Sequence, residues 1–574
     1  MGVRQLQTYI QNYVPNGYID ISLIDECKKY FRINNVRPII VIDLMGLVSM
    51  VNNEYEILCG GRFNHYKDFY ENLFKKISLY AELVFFEDGP VCSQKMKTWF
   101  KRQNEGYEKC LRILEDVYQQ YPLKLIPSRH RDIPPIFTHL SIIEFLSKKY
   151  GTLILTITKE CDAEIARYAC LNPRVIAVLA DDSDFLIFTG NWKYLSIKQL
   201  DHNTLITKEY NRRALREHLQ LNDTQLVILS SLNGNDVIQY EDTLIFHKSL
   251  IGNEKFKNCS VRFPALAKFI NHCLPENFDE LLPALAKTIF QNTNAVYLKK
   301  IEESLNFYNT NFTPIEPSDP LLKLCRDKTF DFVYAVLKRM PDTFILSYYD
   351  LRLDDFPNLF KKTMKLLCSQ VGIILKSIGR YWNYEVTTKK SHEIGYNKYY
   401  VEPIIPDQRI PNVPLHELLQ RDKFPQHDKL RFNLLKWTIS TKERFYNINI
   451  QQIPINYLKD VLLLTFLVTE EFISVKEADI ILLSIKYVEE NDFPFGVQQL
   501  PEYLDRRGFR IAFLFGKFHS YVEKSFEVTG LQDLCKLINF DGVLFNNLYL
   551  HYAYTTSFNA RQLLGDVAKY RIYR

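Results

Sequence analysis

Four short apolar runs set the rhythm of the first half of this chain: PIIVID ending at Asp43, ELVFFE ending at Glu87, TLILTI starting at Thr152, and VIAVLA ending at Ala180. Unbroken runs rich in Val, Ile and Phe are what strands covered on both faces look like. Between them lie stretches such as HYKDFYENLFKKISLY (65–80), whose apolar residues recur at helical spacing. Strands alternating with amphipathic helices predict an α/β fold with a mostly parallel central sheet flanked by helices.

Past Asp236 the texture changes. Residues 260–310 read as helical, and PIEPSDP (314–320) reads as a linker, because proline resists continuation of helix or strand. Residues 321–384 again look helical. A tyrosine- and proline-rich passage (381–414) then precedes a mainly helical region from about residue 415. The expected organisation is a domain over 1–240, a helical extension over 241–313, and a mainly α-helical C-terminal region over 321–574. A chain of 574 residues exceeds what one core usually supports.

Acids gather where the apolar runs stop. Asp43, Asp88, Asp162 with Glu164, Asp182 with Asp184, and Asp236 each sit at or just past such a run. A parallel sheet delivers residues from the carboxyl ends of separate strands to one crevice, so these islands can converge. Any one of them alone fits a turn or a helix cap. The Asp182–Asp184 pair is harder to explain that way, since in a strand residues two apart share a face. Seven like charges in one crevice call for cations. Two divalent ions there would offset the charge and clamp both oxygens of a phosphodiester displacement.

Composition narrows the class. Hydrophobic residues make up 47 %, aromatics 14 % and charged residues 24 %, which describes folded domains rather than a disordered scaffold. The net charge of +5 is mild for this length. Local basic clusters therefore matter more: Lys95, Lys97, Lys101 and Arg102 lie in a stretch that also carries Trp99, Phe100 and Tyr107, combining phosphate contacts with stacking surfaces. The same spacing also fits a solvated amphipathic helix with its aromatics turned inward. Eleven cysteines without a CxxC pair suggest reduced thiols. MGVRQLQTYIQ lacks an apolar leader, and VLLLTFLV (461–468) is too short to span a bilayer, so a soluble protein of the nucleus or cytoplasm is expected. LHELL, with Leu415, Leu418 and Leu419, fits an LxxLL receptor-docking box and equally one face of a core helix.

MGVRQLQTYI, the strand ending in Asp43, GGR at 60–62, FEDGP, DAE, DDSDF and GND occur in the order seen in the flap endonuclease superfamily, which this chain resembles over residues 1 to about 240. The resemblance implies a PIN-like nuclease fold in which Asp43, Asp88, Asp162, Glu164, Asp182, Asp184 and Asp236 are catalytic acids holding Mg²⁺ or Mn²⁺ as two ions, with Asp162 standing where the family has Glu. It further implies that Arg62, Lys95, Lys97, Lys101 and Arg102 contact nucleic acid. YEDTLIFHKSLIG, YLKKIEESLNFYN, RGFRIAFLFG and NFDGVLFNNLYL are similar to the branch containing the constitutive coactivators of peroxisome proliferator-activated receptor gamma, while the acid set is closer to the related asteroid proteins.

The chain also departs from the nuclease pattern. DVIQYEDTLIFHKSLIG has no glycine-rich hairpin after the last acid, and bulky side chains keep backbone amides away from phosphates. Single-stranded or branched DNA or RNA is therefore the expected partner rather than a long duplex, alongside nuclear or ribonucleoprotein protein partners. Two functions remain in play: a divalent-metal-dependent nuclease, and a non-catalytic RNA-binding scaffold or coactivator on the same fold.

Overall fold

The computed structural model describes residues 2–573 apart from 52, 90–95, 131, 137–139, 157–159, 276, 313–316, 354–355, 390–394, 408–409, 440–447, 495, 497 and 557. The chain divides into two compact units, each assembled from separate stretches: residues 1–50, 71–89 and 146–316 form the first, and residues 51–70, 90–145 and 317–574 the second.

The first unit is built on a seven-stranded sheet. Its strands are β1 (Tyr18–Ser22), β2 (Ile39–Asp43), β3 (Glu82–Glu87), β4 (Thr152–Leu155), β5 (Val175–Ala180), β6 (Lys193–Ser196) and β7 (Ile206–Tyr210), in the order β1-β7-β6-β5-β2-β3-β4. Ile39, Ile40, Val41 and Ile42 are all buried. Neighbours along a strand point to opposite faces, so β2 is covered above and below, which is why its sequence shows no alternation.

Strands β6 through β4 pair in parallel, with Ile42 opposite both Leu179 of β5 and Phe85 of β3. The fold class expected from the apolar runs is present, and all four runs are strands. At one edge the direction reverses: β7 runs antiparallel to β6 and β1 antiparallel to β7. These three strands escape the sequence pattern because they carry Asp20, Lys193 and Glu209 within them and so show no unbroken apolar run.

The chain leaves β4 at one edge, crosses back over β3 and β2 in the helix Cys161–Leu171, and enters β5 on the far side of β2. The direction of strand addition thus switches between β2 and β5, and the crevice beyond their carboxyl ends is the place where such sheets bind ligands. Helices from Arg212 to Asn306 share a continuous apolar core with the sheet, including Leu229, Phe263, Leu285 and Ile301. Arg262 is fully buried there, donating to Asn233 Oδ1, the Phe256 carbonyl and Gln5 Oε1, so its charge is spread over satisfied acceptors.

The second unit is mainly helical, as expected, around the long helices Phe356–Ile378, Ile455–Thr469, Val475–Glu490 and Arg506–Val528. VLLLTFLV lies in helix Ile455–Thr469, where Val461 through Leu467 are buried against protein. Among the described residues no helix is long and apolar enough to cross a membrane. The tyrosine-rich passage was not read as sheet, yet it supplies β9 (Tyr384–Thr388) and β10 (Asn397–Val401), which pair antiparallel, with β8 (Asp342–Phe344) parallel to β9. Prolines flanking these strands hid them.

The loop after helix Asp223–Asn233 turns at Gly234, whose φ of +95° few L-residues adopt, and a Cβ there would lie 2.7 Å from Tyr240 Cα. Gly234→Ala is expected to destabilise the protein by about 2 kcal/mol through backbone strain plus overlap. Urea denaturation at constant slope measures it, and a midpoint unchanged from wild type would contradict the turn geometry.

Candidate metal centre

Each acid of the crevice is positioned by a local device. Asp43 ends β2, and its Oδ1 accepts from the Met45 N–H as the chain turns into a short helix. Asp88 follows β3 and is exposed. Its loop is pinned because Thr156 Oγ1, beyond β4, donates to the Glu87 carbonyl and accepts from the Gly89 N–H. Asp162 and Glu164 lie in the first turn of helix Cys161–Leu171.

Asp182 and Asp184 follow β5, but they do not share a face by strand alternation, since β5 ends at Ala180. Instead Asp182 caps the 3₁₀ turn Ser183–Leu186, its Oδ1 accepting from the Asp184 N–H at 3.0 Å. Capping folds the two carboxylates toward one another. Asp236 is displayed by a loop that Asn235 holds rigid: Asn235 Oδ1 accepts from the N–H groups of Val237 and Ile238, and its Nδ2 donates to Ser304 Oγ.

Carboxylate oxygens of Asp162, Asp182 and Asp184 lie within 4.8 Å of one another. Electrostatic contacts extend the group: Asp43 feels Asp88 and Asp182, Asp162 feels Asp182, Asp43, Asp184 and Asp88, and Asp184 feels Asp182 and Asp236. Six of the seven acids read from sequence therefore occupy one neighbourhood. Glu164 is half-buried and outside the close triad. Residues two apart on a helix lie on different faces, which sets Glu164 apart from Asp162 in the same turn.

Burial, then Asp88 and Asp182, push the Asp43 carboxyl up to about 7, against the opposing N–H groups of Met45 and Gly46. Asp162 is held well above the usual carboxylate range by burial and then by its acidic neighbours. Asp184, fully buried, is raised by burial and by Asp182 and Asp236, and opposed by the Tyr308 hydroxyl that donates to its Oδ1 at 2.7 Å. Its Oδ2 has no hydrogen-bond partner among the described residues. Buried carboxylate oxygens in native proteins are normally satisfied, and an all-oxygen set of this kind suits a hard divalent cation. The residues fit Mg²⁺ or Mn²⁺.

Sequence reading missed the supports. Tyr308 stands 124 residues from the acid it contacts, with no local pattern to mark it. Gly2 packs so closely that a Cβ would lie 2.0 Å from Asp182 Oδ1. Asn235 sat inside the NGND motif beside the residue that drew attention.

Several expected contacts are corrected. Arg62 is committed within the protein: its Nε donates to Asp541 Oδ2 at 2.8 Å, and Asp541 is fully buried, so releasing Arg62 would strand a buried charge. Lys101 and Arg102 are exposed on helix Met96–Tyr118, but the neighbouring aromatics are used internally, with Phe100 stacked on Tyr396 at 4.0 Å and Tyr107 buried. Of Lys97 only the helical backbone is described, and Lys95 lies outside the described residues. Leu415, Leu418 and Leu419 are 2 %, 1 % and 4 % exposed, so LHELL is a core helix; leucines that dock in a receptor groove must face solvent.

With this geometry in place, comparison gives first a class: a model of the FAM120A-like domain matches residues 219–312. The particular relatives are coactivators, as the sequence resemblance expected. The chain is 28 % identical over 244 residues to the human constitutive coactivator of peroxisome proliferator-activated receptor gamma, covering 42 % of this chain and 26 % of that one. It is 22 % identical over 378 residues to the human constitutive coactivator of PPAR-gamma-like protein 1, covering 59 % and 32 %. The chain thus spans about a quarter to a third of the length of the curated relatives it matches. Among solved structures it is similar to the catalytic core of Rad2 in complex with a DNA substrate (16 % identity, 57 % of this chain and 93 % of that one, TM-score 0.29) and to human GEN1 in complex with Holliday junction DNA (15 %, 65 % and 80 %, TM-score 0.27). These scores are low, and the reading of the site rests on its own carboxylates.

Two outcomes follow. A carboxyl whose folded pKa is raised binds more protons folded than unfolded between its ordinary value and the raised one, so stability falls as pH rises through that window. In EDTA the melting temperature of the protein should therefore drop between about pH 4 and pH 7, and Mn²⁺ at pH 7 should restore it; a midpoint indifferent to Mn²⁺ would argue against the centre. Tyr308→Phe removes one donor to a buried carboxylate and should cost about 1 to 3 kcal/mol in EDTA, with the deficit reduced in Mn²⁺, as urea unfolding in both buffers would measure.

Proposed function

We propose that this protein is a divalent-metal-dependent nuclease acting on the phosphodiesters of DNA or RNA, with single-stranded or branched substrates preferred. The observation that carries this reading is the close triad of Asp162, Asp182 and Asp184, with one buried oxygen of Asp184 lacking a partner among the described residues, beside the switch point of a parallel sheet. Asp43, Asp88 and Asp236 complete the donor set, with Glu164 in the same helical turn as Asp162 at its edge.

Bound there, Mg²⁺ or Mn²⁺ would neutralise the carboxylates and polarise a phosphodiester oxygen. The chain's own part is to hold the acids rigid. The Asp184 N–H fixes Asp182, the Tyr308 hydroxyl fixes Asp184, and the Asn235 turn fixes the loop bearing Asp236. A phosphodiester brought against this cluster without cations would meet only repulsion, so the acids cannot serve as a bare phosphate-binding surface. Lys101 and Arg102 are exposed cations on helix Met96–Tyr118, of the residue types that contact a strand's phosphates.

A second reading is a non-catalytic RNA-binding scaffold or coactivator of the nucleus or cytoplasm, favoured by the likeness to the constitutive coactivators over 42 % to 59 % of the chain. It expects RNA or protein binding that survives loss of the acids.

Purified protein with Mn²⁺ or Mg²⁺ should cleave labelled flap, overhang or single-stranded DNA or RNA. Asp182→Asn with Asp184→Asn should lower the rate at least about a hundredfold while the melting temperature in EDTA stays the same or rises, because like charges are removed. No cleavage by wild type across these substrates, or equal cleavage by the double variant, would reject the nuclease in favour of the scaffold.

A further inference from the structure

Residues Gly2 to Gln5 pass against the acid cluster. A Cβ on Gly2 would lie 2.7 Å from Ser183 Oγ and 2.8 Å from the Asp184 nitrogen, and the Val3 carbonyl accepts from Ser183 Oγ at 3.0 Å. One residue on, the Arg4 carbonyl accepts from Asn233 Nδ2 at 3.0 Å and from Arg262 Nη2 at 3.4 Å. Asn233 ends the helix that leads through the Gly234 turn to the loop bearing Asp236. The backbone of Arg4 is therefore fixed between the acids that follow β5 and the acid that follows helix Asp223–Asn233. Gln5 tightens the hold, accepting from Arg262 through its Oε1 and adopting a φ of +62°, a conformation that a side-chain-bearing residue keeps only where its surroundings impose it.

The Arg4 side chain is exposed, and its guanidinium carbon lies 4.2 Å from the centre of the Tyr240 ring. Among the described residues it makes no ion pair and no side-chain hydrogen bond. The other guanidinium near that ring, Arg262 at 5.4 Å, is buried and spends its donors on Asn233, the Phe256 carbonyl and Gln5. Asp242, in the first turn of the helix that Tyr240 opens, is taken by Lys300 and by the Gln239 N–H. A ring engages a guanidinium through its face and leaves the N–H edge for an anion.

A cation in this place answers the main electrostatic difficulty of the crevice. A strand laid over six acids meets repulsion along its backbone, and a fixed positive charge beside them supplies attraction where it is needed. Because the buried donors hold the Arg4 backbone and the ring restrains its side chain, less freedom is lost when a phosphate arrives.

We propose that Arg4, braced on Tyr240, contacts a backbone phosphate of a single strand of DNA or RNA lying along the acid crevice and positions the strand over the cluster. This rests on the crevice being where nucleic acid lies, as in the nuclease reading, and not on the strand being cut there.

The test is fluorescence anisotropy with labelled dodecamers of oligo(dT) and oligo(U), using the full chain carrying Asp182→Asn and Asp184→Asn in EDTA, so that neither cleavage nor metal enters. In that background Arg4→Ala should weaken binding about tenfold and lower the slope of log affinity against log salt by about 0.7, the loss of one phosphate contact. The effect should be equal on both dodecamers, because a phosphate contact is blind to sugar and base. Arg4→Lys keeps the charge and should keep the slope. Arg4 is exposed, so these variants should retain the melting temperature. No saturable binding in the starting background, a slope unchanged in folded Arg4→Ala, a slope lost in Arg4→Lys, or a loss confined to one dodecamer would overturn the proposal. Cleavage of the same dodecamers by the unsubstituted chain in Mn²⁺ is read separately. Its absence beside an Arg4-dependent slope rejects the nuclease and keeps the contact, whereas cleavage beside an Arg4-independent slope keeps the nuclease and rejects the contact.

Discussion

Repulsion among buried carboxylates is the constraint around which the first unit is arranged. Two unit charges 4.8 Å apart at an effective dielectric of about 20 repel by about 3 kcal/mol, and the triad contains three such pairs before Asp43, Asp88 and Asp236 are considered. A protein of ordinary stability cannot carry that load fully ionised. Two compensations exist, proton uptake and cation binding, and the raised carboxyls of Asp43, Asp162 and Asp184 show how far the first would have to go near neutral pH.

The scaffold keeps the acids close in spite of that repulsion. Strands β2, β3 and β5 are locked in a buried sheet and cannot slide, since a one-residue slip would invert their side chains. The Asp184 carboxylate is reached from the helical layer by Tyr308, and the turn at Asn235 is tied to Ser304 of that same layer. The helices beyond Arg212 are thus part of the site's support, sharing one core with the sheet. Gly2 adds a further restriction at Asp182, where any side chain would displace the carboxylate.

Legibility in the sequence followed the range of the determining interaction. The apolar runs of β2 to β5 were readable because double-sided burial writes itself into consecutive residues, and the acids were readable because parallel strands end on one side. β1, β6 and β7 were not, because charged residues interrupt them and pairing with a neighbour holds them in place. The Asp182–Asp184 pair was found for a reason that proved wrong in detail: a cap, not a strand, aligns it. Tyr308 and the Arg62–Asp541 pair were invisible because their partners are 124 and 479 residues away. LHELL shows the converse, a motif legible as a docking box whose leucines the fold spends on its core.

The acid cluster also bears on how nucleic acid could be held at all. Without cations it repels a phosphate backbone, so any binding that does not depend on metal must draw on positive charge elsewhere in the chain. The net charge of +5 is too small to supply that attraction by itself. On helix Met96–Tyr118 Phe100 and Tyr107 are packed into the second unit, while Lys101 and Arg102 beside them are exposed. A catalytic reading and a scaffold reading therefore make different demands on the same chain: the first requires ions among the aspartates, and the second requires positive charge away from them to suffice without metal.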